Sequence, residues 1–165
     1  MDDSIAPHIE RRRAMSRAIQ DETGIDEAMI ERVVRSFYGR VRQDELLAPV
    51  FEARIDDWEP HLERMFAFWS SVALMTGRYH GQPMPKHLPL PVDGVHFDRW
   101  LALFEATVQE LCPPEAAEHF MERARRIAES MELGIAGTNG ILLLKGQRLR
   151  RPELHAADAG QGSSD

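Results

Sequence analysis

Apolar residues recur every three or four positions in four long stretches of this chain, which is the spacing of amphipathic helices. The first stretch follows Asp26, a residue type that favours the N-cap of a helix. Its apolar face contains Ile30, Val33, Val34, Phe37, Tyr38 and Val41. The second stretch begins near Asp56 and Asp57, whose carboxylates suit the positive end of a helix dipole. Its inward stripe contains Trp58, His61, Leu62, Met65, Phe68, Trp69 and Val72.

Proline and glycine set the boundaries of the remaining elements. Pro49 should leave Phe51 in a connector, and four prolines between Gly77 and Gly94 rule out a long helix there, although one turn is possible at residues 86–90. The third helix is predicted from about 95 to 111 and the fourth from Pro114, until Gly134, Gly137 and Gly140 end it. Residues 141–144 form the one strand-like run, so the pattern predicts an all-α protein.

Composition limits the classes of protein to which this chain can belong. A chain of 165 residues predicts one domain, large enough to enclose a mid-sized prosthetic group. The net charge of −7 argues against nucleic acid as a partner, and the basic clusters at 11–13 and 145–151 are expected to be solvated tails. No apolar run is long enough for a membrane span. The acidic start at residues 1–3 and the single cysteine, Cys112, lead us to expect a cytoplasmic protein.

Two of the seven histidines are candidate metal ligands. A zinc site would require closely spaced ligands, such as two histidines four apart around an acid, and the chain has none. Haem needs one axial imidazole and a wide apolar pocket. His87 is the better ligand candidate because neighbouring prolines fix its backbone, but it could equally be a solvent-facing loop residue. His61 lies on an apolar stripe and could be a core-edge histidine bonded to backbone.

Two aromatic residues with polar tips add to this pattern. Tyr38 and Trp100 each carry one polar hydrogen that could be donated to a bound diatomic molecule, or each could be an ordinary core aromatic. We expect His80, His96 and His119 to lie at the surface. No pair of carboxylates on an apolar face indicates acid–base catalysis.

Six motifs resemble those of the group III truncated haemoglobins, over residues 25–135. They are FYGRVR at 37–42, LAPVF at 47–51, DWEPH at 57–61, FW at 68–69, GRYHGQPM at 77–84 leading to KHL at 86–88, and FDRWLALF at 97–104. The resemblance implies a two-over-two helical sandwich that encloses haem b. It also implies a globin domain at residues 25–136, with an N-terminal extension at 1–24, partly helical or disordered, and a mostly flexible C-terminal extension at 137–165.

The resemblance assigns roles to particular residues. It makes His87 the proximal iron ligand, with Tyr38, His61 and Trp100 on the distal side and His61 acting as a gate between pocket and solvent. Arg78 and Lys86 are candidate partners of the haem propionates. Further residues expected in the haem pocket are Phe37, Phe51, Met65, Phe68, Tyr79, Met84, Phe97 and Phe104.

Three functions are consistent with these features. The first is binding or transport of O2, with CO and NO as further ligands, by a monomer or weak homodimer. The second is a redox enzyme for nitric oxide detoxification by dioxygenation, or for peroxide chemistry, which would need an external reductase. The third is a helical interaction domain without a cofactor, in which the aromatic residues form only the core.

Overall fold

The computed structural model describes residues 5–155. It contains no strand within that range, so the all-α prediction is confirmed. In chain order the helices are α1 Ile5–Thr23, α2 Glu27–Val41, α3 Ala48–Glu52, α4 Trp58–Leu74, α5 Pro83–His87, α6 Gly94–Leu111 and α7 Pro114–Thr138, followed by a 3-10 turn at Pro152–Leu154. No helix within residues 5–155 combines the length and the apolar character needed to cross a membrane.

Local sequence explains where the long helices begin. Asp26 is the N-cap of α2, and its side chain accepts a hydrogen bond from the Met29 amide at 2.8 Å. Asp93 is the N-cap of α6, where its carboxylate accepts from the Val95 amide and the His96 ring accepts from the Asp93 amide, both at 3.1 Å. These bonds satisfy amide groups that have no partner inside the helix.

Helices α2, α4, α6 and α7 form two pairs that pack on each other. Helix α2 packs on α4, and α6 packs on α7, while contacts between α2 and α6 and between α4 and α7 join the pairs. This is the two-over-two arrangement that the sequence resemblance implied. Helix α1 lies against α4 and α7 and carries the exposed basic cluster at 11–13, so this cluster is solvated as expected but belongs to a helix.

Several predicted boundaries are wrong, for tertiary reasons. Phe51 belongs to the short helix α3 because Pro49 occupies a first-turn position, where a helix needs no amide hydrogen. One helical turn was expected at 86–90. It lies instead at Pro83–His87, as α5, because Pro83 also occupies a first-turn position. Helix α7 continues through Gly134. The glycine at this position makes room for α5, because a Cβ there would lie 2.6 Å from the Met84 sulfur.

The C-terminal segment, defined here as residues 141–155, has no strand and packs on the start of α6 and on α7. Leu149 is only 1% exposed, and its carbonyl accepts from the Gly94 amide at 2.8 Å. Arg148 donates to the buried carboxylate of Glu132 at 2.9 Å, and it pairs with Asp98 at 2.8 Å. The expectation that residues 145–151 form a solvated tail is therefore wrong for Arg148 and Leu149. Residues 1–4 and 156–165 lie outside the described range, and the division into extensions and globin domain stays a prediction.

Replacing Leu149 with alanine should lower the free energy of unfolding by about 2–4 kcal/mol, because the change removes a buried side chain and leaves a cavity. Urea denaturation measures the loss. The control is Leu142→Ala, since Leu142 is 85% exposed and its removal should change stability by less than about 0.5 kcal/mol. Equal effects of the two substitutions would contradict the packing of this segment.

Candidate functional site

A largely apolar pocket lies among α2, α3, α4, α5, α6 and α7. The pocket is partly open to solvent, and apolar side chains form most of its wall. Its lining consists of Tyr38, Leu47, Val50, Phe51, Met65, Phe68, Trp69, Pro83, His87, Leu90, Val92, His96, Phe97, Trp100, Ile127, Ala128 and Met131.

His87 is the last residue of α5 and lines this pocket. Its Nδ1 atom lies 2.5 Å from the carbonyl oxygen of Pro83, one turn earlier. A carbonyl can only accept, so Nδ1 carries the proton in this contact, and Nε2 is the ring atom left to bind a metal. A neutral imidazole oriented by a backbone carbonyl is the usual form of a histidine metal ligand.

Tyr38 projects from α2 and is only 6% exposed. Burial raises the pKa of its phenol above the ordinary value of 10.0, so the hydroxyl stays protonated and can donate a hydrogen bond. The Tyr38 ring contacts the rings of Phe51 and Trp58 with centroids 5.8 Å away in each case. This packing fixes the position of the phenol at the pocket wall.

Trp100 lines the pocket from α6. Its ring stacks on Phe104 with centroids 5.6 Å apart and meets the edge of Phe37 at 5.5 Å. Phe37 and Phe104, both expected in the haem pocket, are 1% and 0% exposed and lie in the core outside the pocket lining. They support the wall that Trp100 forms.

His61 has an unsatisfied polar atom. Its Nε2 is buried and has no hydrogen-bond partner among the described residues. Burial lowers the pKa of His61 to about 4, with a smaller contribution from the positive charge of Arg64, so the ring is neutral at pH 7. The ring packs edge-on against Tyr38 at 5.2 Å and does not line the pocket. A buried nitrogen without a partner is costly and is expected to acquire one from a ligand or from water. The gate role of His61 stays a prediction.

The other predicted site residues fall into two groups. Phe51, Met65, Phe68 and Phe97 line the pocket. Tyr79 and Met84 lie outside the lining: Tyr79 meets the edge of Phe68 at 5.3 Å, and Met84 faces Gly134.

The two candidate propionate partners also lie outside the lining. Arg78 is exposed and pairs with Glu27 at 3.5 Å, at the start of α2. Lys86 is exposed and directly precedes His87. Contact of either residue with a propionate stays a prediction.

Sequence reasoning missed part of the lining. Ile127 and Met131 lie on the apolar stripe of α7, but a stripe does not distinguish core from cavity. Trp69 was likewise placed inward without a site role. The missed residues are Leu47, Val50, Trp69, Pro83, Leu90, Val92, His96, Ile127, Ala128 and Met131.

Two of the three histidines expected at the surface lie elsewhere. His80 is exposed, as expected. His119 is half-buried and its Nε2 lies 2.8 Å from the Ala73 carbonyl. His96 is 6% exposed because it closes the capping box with Asp93 at the start of α6. An aspartate three residues before a histidine at a helix start was the available signal.

Asp93 and His96 belong to a polar cluster completed by His155. Asp93 Oδ1 lies 3.1 Å from His96 Nδ1, and Asp93 Oδ2 lies 2.9 Å from His155 Nε2. Burial raises the pKa of Asp93, but the hydrogen bonds from His155 and the Arg151 amide, together with the nearby His96 ring, outweigh this and lower the pKa. Burial lowers the pKa of His96, although the bond with Asp93 opposes the shift. The cluster therefore combines an ionised carboxylate with a neutral imidazole at pH 7.

Comparison with known proteins identifies the family. Residues 18–133 match the family model described as bacterial-like globin. The group 3 truncated hemoglobin of Campylobacter jejuni is 33% identical over 113 residues, which cover 66% of this chain and 89% of that protein. The chain belongs to the bacterial-like globins, as a group III truncated haemoglobin. The resemblance drawn from the sequence motifs is confirmed, and membership of this globin family implies haem binding.

Further matches are also hemoglobins. A group 2 truncated hemoglobin of Bacillus subtilis is 26% identical over 97 residues, covering 58% of this chain and 67% of that protein. The crystal structure of the group III truncated hemoglobin from C. jejuni matches with a TM-score of 0.63 at 30% identity, covering 74% of this chain and 96% of that one. The hemoglobin of Chloroflexus aurantiacus, a thermophilic phototrophic bacterium, matches with a TM-score of 0.57 at 27% identity, covering 68% and 95%.

The depressed pKa of His61 predicts a pH dependence of stability. As pH falls from 6.5 to about 4, the unfolded chain protonates this histidine while the folded haem-free protein resists protonation, so stability present above pH 6.5 is lost. The full shift corresponds to roughly 3 kcal/mol, and partial exposure of the ring reduces the expected loss to about 1–2 kcal/mol.

Urea denaturation of haem-free wild type and His61→Leu at several pH values measures this contribution. The stability of the wild type relative to His61→Leu should fall by that amount as the pH falls, whereas the exposed His80→Leu control should follow the wild type. Parallel curves for wild type and His61→Leu would show that His61 is not held neutral by the fold.

Proposed function

We propose that this truncated haemoglobin binds haem b through His87 and uses it to bind O2 and other diatomic molecules such as CO and NO. The observation that carries the proposal is the pairing of His87 with Tyr38 and Trp100 around one apolar pocket. His87 offers a neutral nitrogen as a metal ligand. Tyr38 and Trp100 offer polar hydrogens to a small ligand.

The residues of the pocket fit haem. Its lining is mostly aliphatic and aromatic, which suits the apolar macrocycle. The unpartnered Nε2 of His61 beside Tyr38 indicates a place for a polar group that residues 5–155 do not supply. When bound, haem supplies an iron atom with one coordination position for a histidine and one for a diatomic ligand.

His96 is the rival ligand, because it also lines the pocket. Its Nδ1 accepts from the Asp93 amide, and its ring lies beside that of His155 with centroids 5.5 Å apart. The His87 ring needs only the carbonyl of Pro83, four residues earlier, to orient it. This simpler environment and the family resemblance favour His87.

Tyr38 and Trp100 retain a small polar ligand by hydrogen bonding. The phenol is kept protonated by burial, and the indole nitrogen can only donate. Each such hydrogen bond contributes about 1 kcal/mol. Both side chains are held by neighbouring aromatic rings, so little freedom is lost when they donate.

A second function follows from the same two donors. A ligand held by both leaves slowly, which suits a protein that consumes O2 better than one that transports it. Such a role would be nitric oxide dioxygenation or peroxide chemistry, with electrons from an external reductase. We also propose a cytoplasmic location, on the strength of the single cysteine, and a monomer or weak homodimer.

The visible spectrum of the reduced protein under CO tests the haem ligand. Wild type should show an intense Soret band after addition of haemin, because His87 binds the iron. His87→Ala should lose the band or regain it only with added imidazole, which replaces the missing ring. The matched control, His80→Ala, should keep the wild-type spectrum. A wild-type spectrum in His87→Ala, or loss of haem in His96→Ala with helices intact by circular dichroism, would contradict the assignment.

The rate of O2 dissociation tests the donor role of Tyr38. Tyr38→Phe keeps the ring and removes the hydroxyl, so O2 should leave about 5–10 times faster, which corresponds to about 1 kcal/mol. Stopped-flow displacement of O2 by CO measures this rate. Tyr79→Phe is the matched control, since Tyr79 is the other of the two tyrosines in the chain and lies outside the lining. An unchanged rate in Tyr38→Phe would refute the role.

A further inference from the structure

Asp93, His96 and His155 bring three metal-binding side chains together across two parts of the chain. Asp93 and His96 are side by side at the start of α6, and His155 ends the C-terminal segment, 62 residues after Asp93. One ligand atom from each lies within 4.8 Å of the others. Asp93 and His96 are only 2% and 6% exposed.

We propose that these three residues bind one divalent transition-metal ion of the zinc type, at a site distinct from the haem ligand. Two imidazoles and a carboxylate are a donor set that zinc uses with water in a fourth position. Zinc bonds of about 2.0–2.2 Å place neighbouring ligand atoms roughly 3–3.5 Å apart. Asp93 Oδ1 lies 3.1 Å from His96 Nδ1, and Asp93 Oδ2 lies 2.9 Å from His155 Nε2. One atom from each of the three residues lies within 4.8 Å of the others, so the side chains would have to draw together to reach zinc spacing.

Asp93 places one negative charge at the centre of the cluster. Among the described residues, it is the carboxylate that both rings approach. The guanidinium of Arg151 acts on His96 by its charge, but its Nη1 donates to the carbonyls of Leu90 and Val92 at 3.1 and 3.3 Å. Arg148 is paired with Glu132 and Asp98. The Asp93 carboxylate thus accepts hydrogen bonds, but its side chain forms no ion pair with Arg148 or Arg151.

The site would connect the C-terminal segment to the haem pocket. His155 belongs to that segment, whereas His96 lines the pocket and starts the helix that carries Trp100. A bound ion would replace the hydrogen bond that His96 accepts from the Asp93 amide and would link both parts through stronger bonds. Metal binding is therefore expected to stabilise the fold as well as to occupy the cluster.

Zinc binding to the full-length, haem-loaded protein tests the site. After treatment with a chelator, titration calorimetry and equilibrium dialysis with Zn²⁺ should find one ion per chain. His155→Ala should weaken binding at least about tenfold, because it removes one of three ligands. His80→Ala, which removes an exposed histidine outside the cluster, should bind as the wild type does.

The melting temperature supplies a second readout. Zn²⁺ should raise it in wild type and in His80→Ala but not in His155→Ala, whose helices can be verified by circular dichroism. No retained zinc in wild type, equal affinity in wild type and His155→Ala, or loss of binding in His80→Ala would each overturn the proposal. In those cases the cluster is a hydrogen-bonded contact of the C-terminal segment.

Discussion

The fully buried ring of Phe104, on α6, lies where α2, α4, α6 and α7 meet. It stacks on Trp69 of α4 at 4.8 Å, and it meets Phe37 of α2 at 5.3 Å and Phe120 of α7 at 6.2 Å. Trp100, one turn earlier on α6, stacks on the same ring. Two of these partners, Trp69 and Trp100, also line the pocket. The core and the pocket wall are thus one aromatic cluster, so the packing that forms the fold also positions the indole of Trp100.

Local signals accounted for α2, α4, α6 and α7, whereas α1 lies in a segment that was expected to be only partly helical or disordered. Their period and their caps depend on residues within one turn, as the Asp26 bond to Met29 illustrates. Features that depend on distant contacts were not predicted. Gly134 leaves room for Met84 in the last third of α7, and Glu132 holds Arg148 and the Leu149 amide. Neither contact is encoded in neighbouring residues.

The same distinction applies to the candidate site. The family motifs placed His87, Tyr38 and Trp100 in one pocket, and the structure brings these three residues to its lining. Helical stripes did not separate Phe104, which is core, from Met131, which lines the cavity, because both face inward. The cluster of Asp93, His96 and His155 escaped a search for zinc ligands because its third member is remote in sequence. Burial of His96 follows from its cap contact, which such a search does not consider.

The central claim is that His87 holds the iron of a haem enclosed by this pocket. The crystal structure of the haem-loaded protein tests it most directly, since electron density identifies the residue bound to the metal. The account predicts a bond from His87 Nε2, with Tyr38 and Trp100 on the other face of the macrocycle. A bond from His96 or His61, or haem bound outside the pocket, would contradict it.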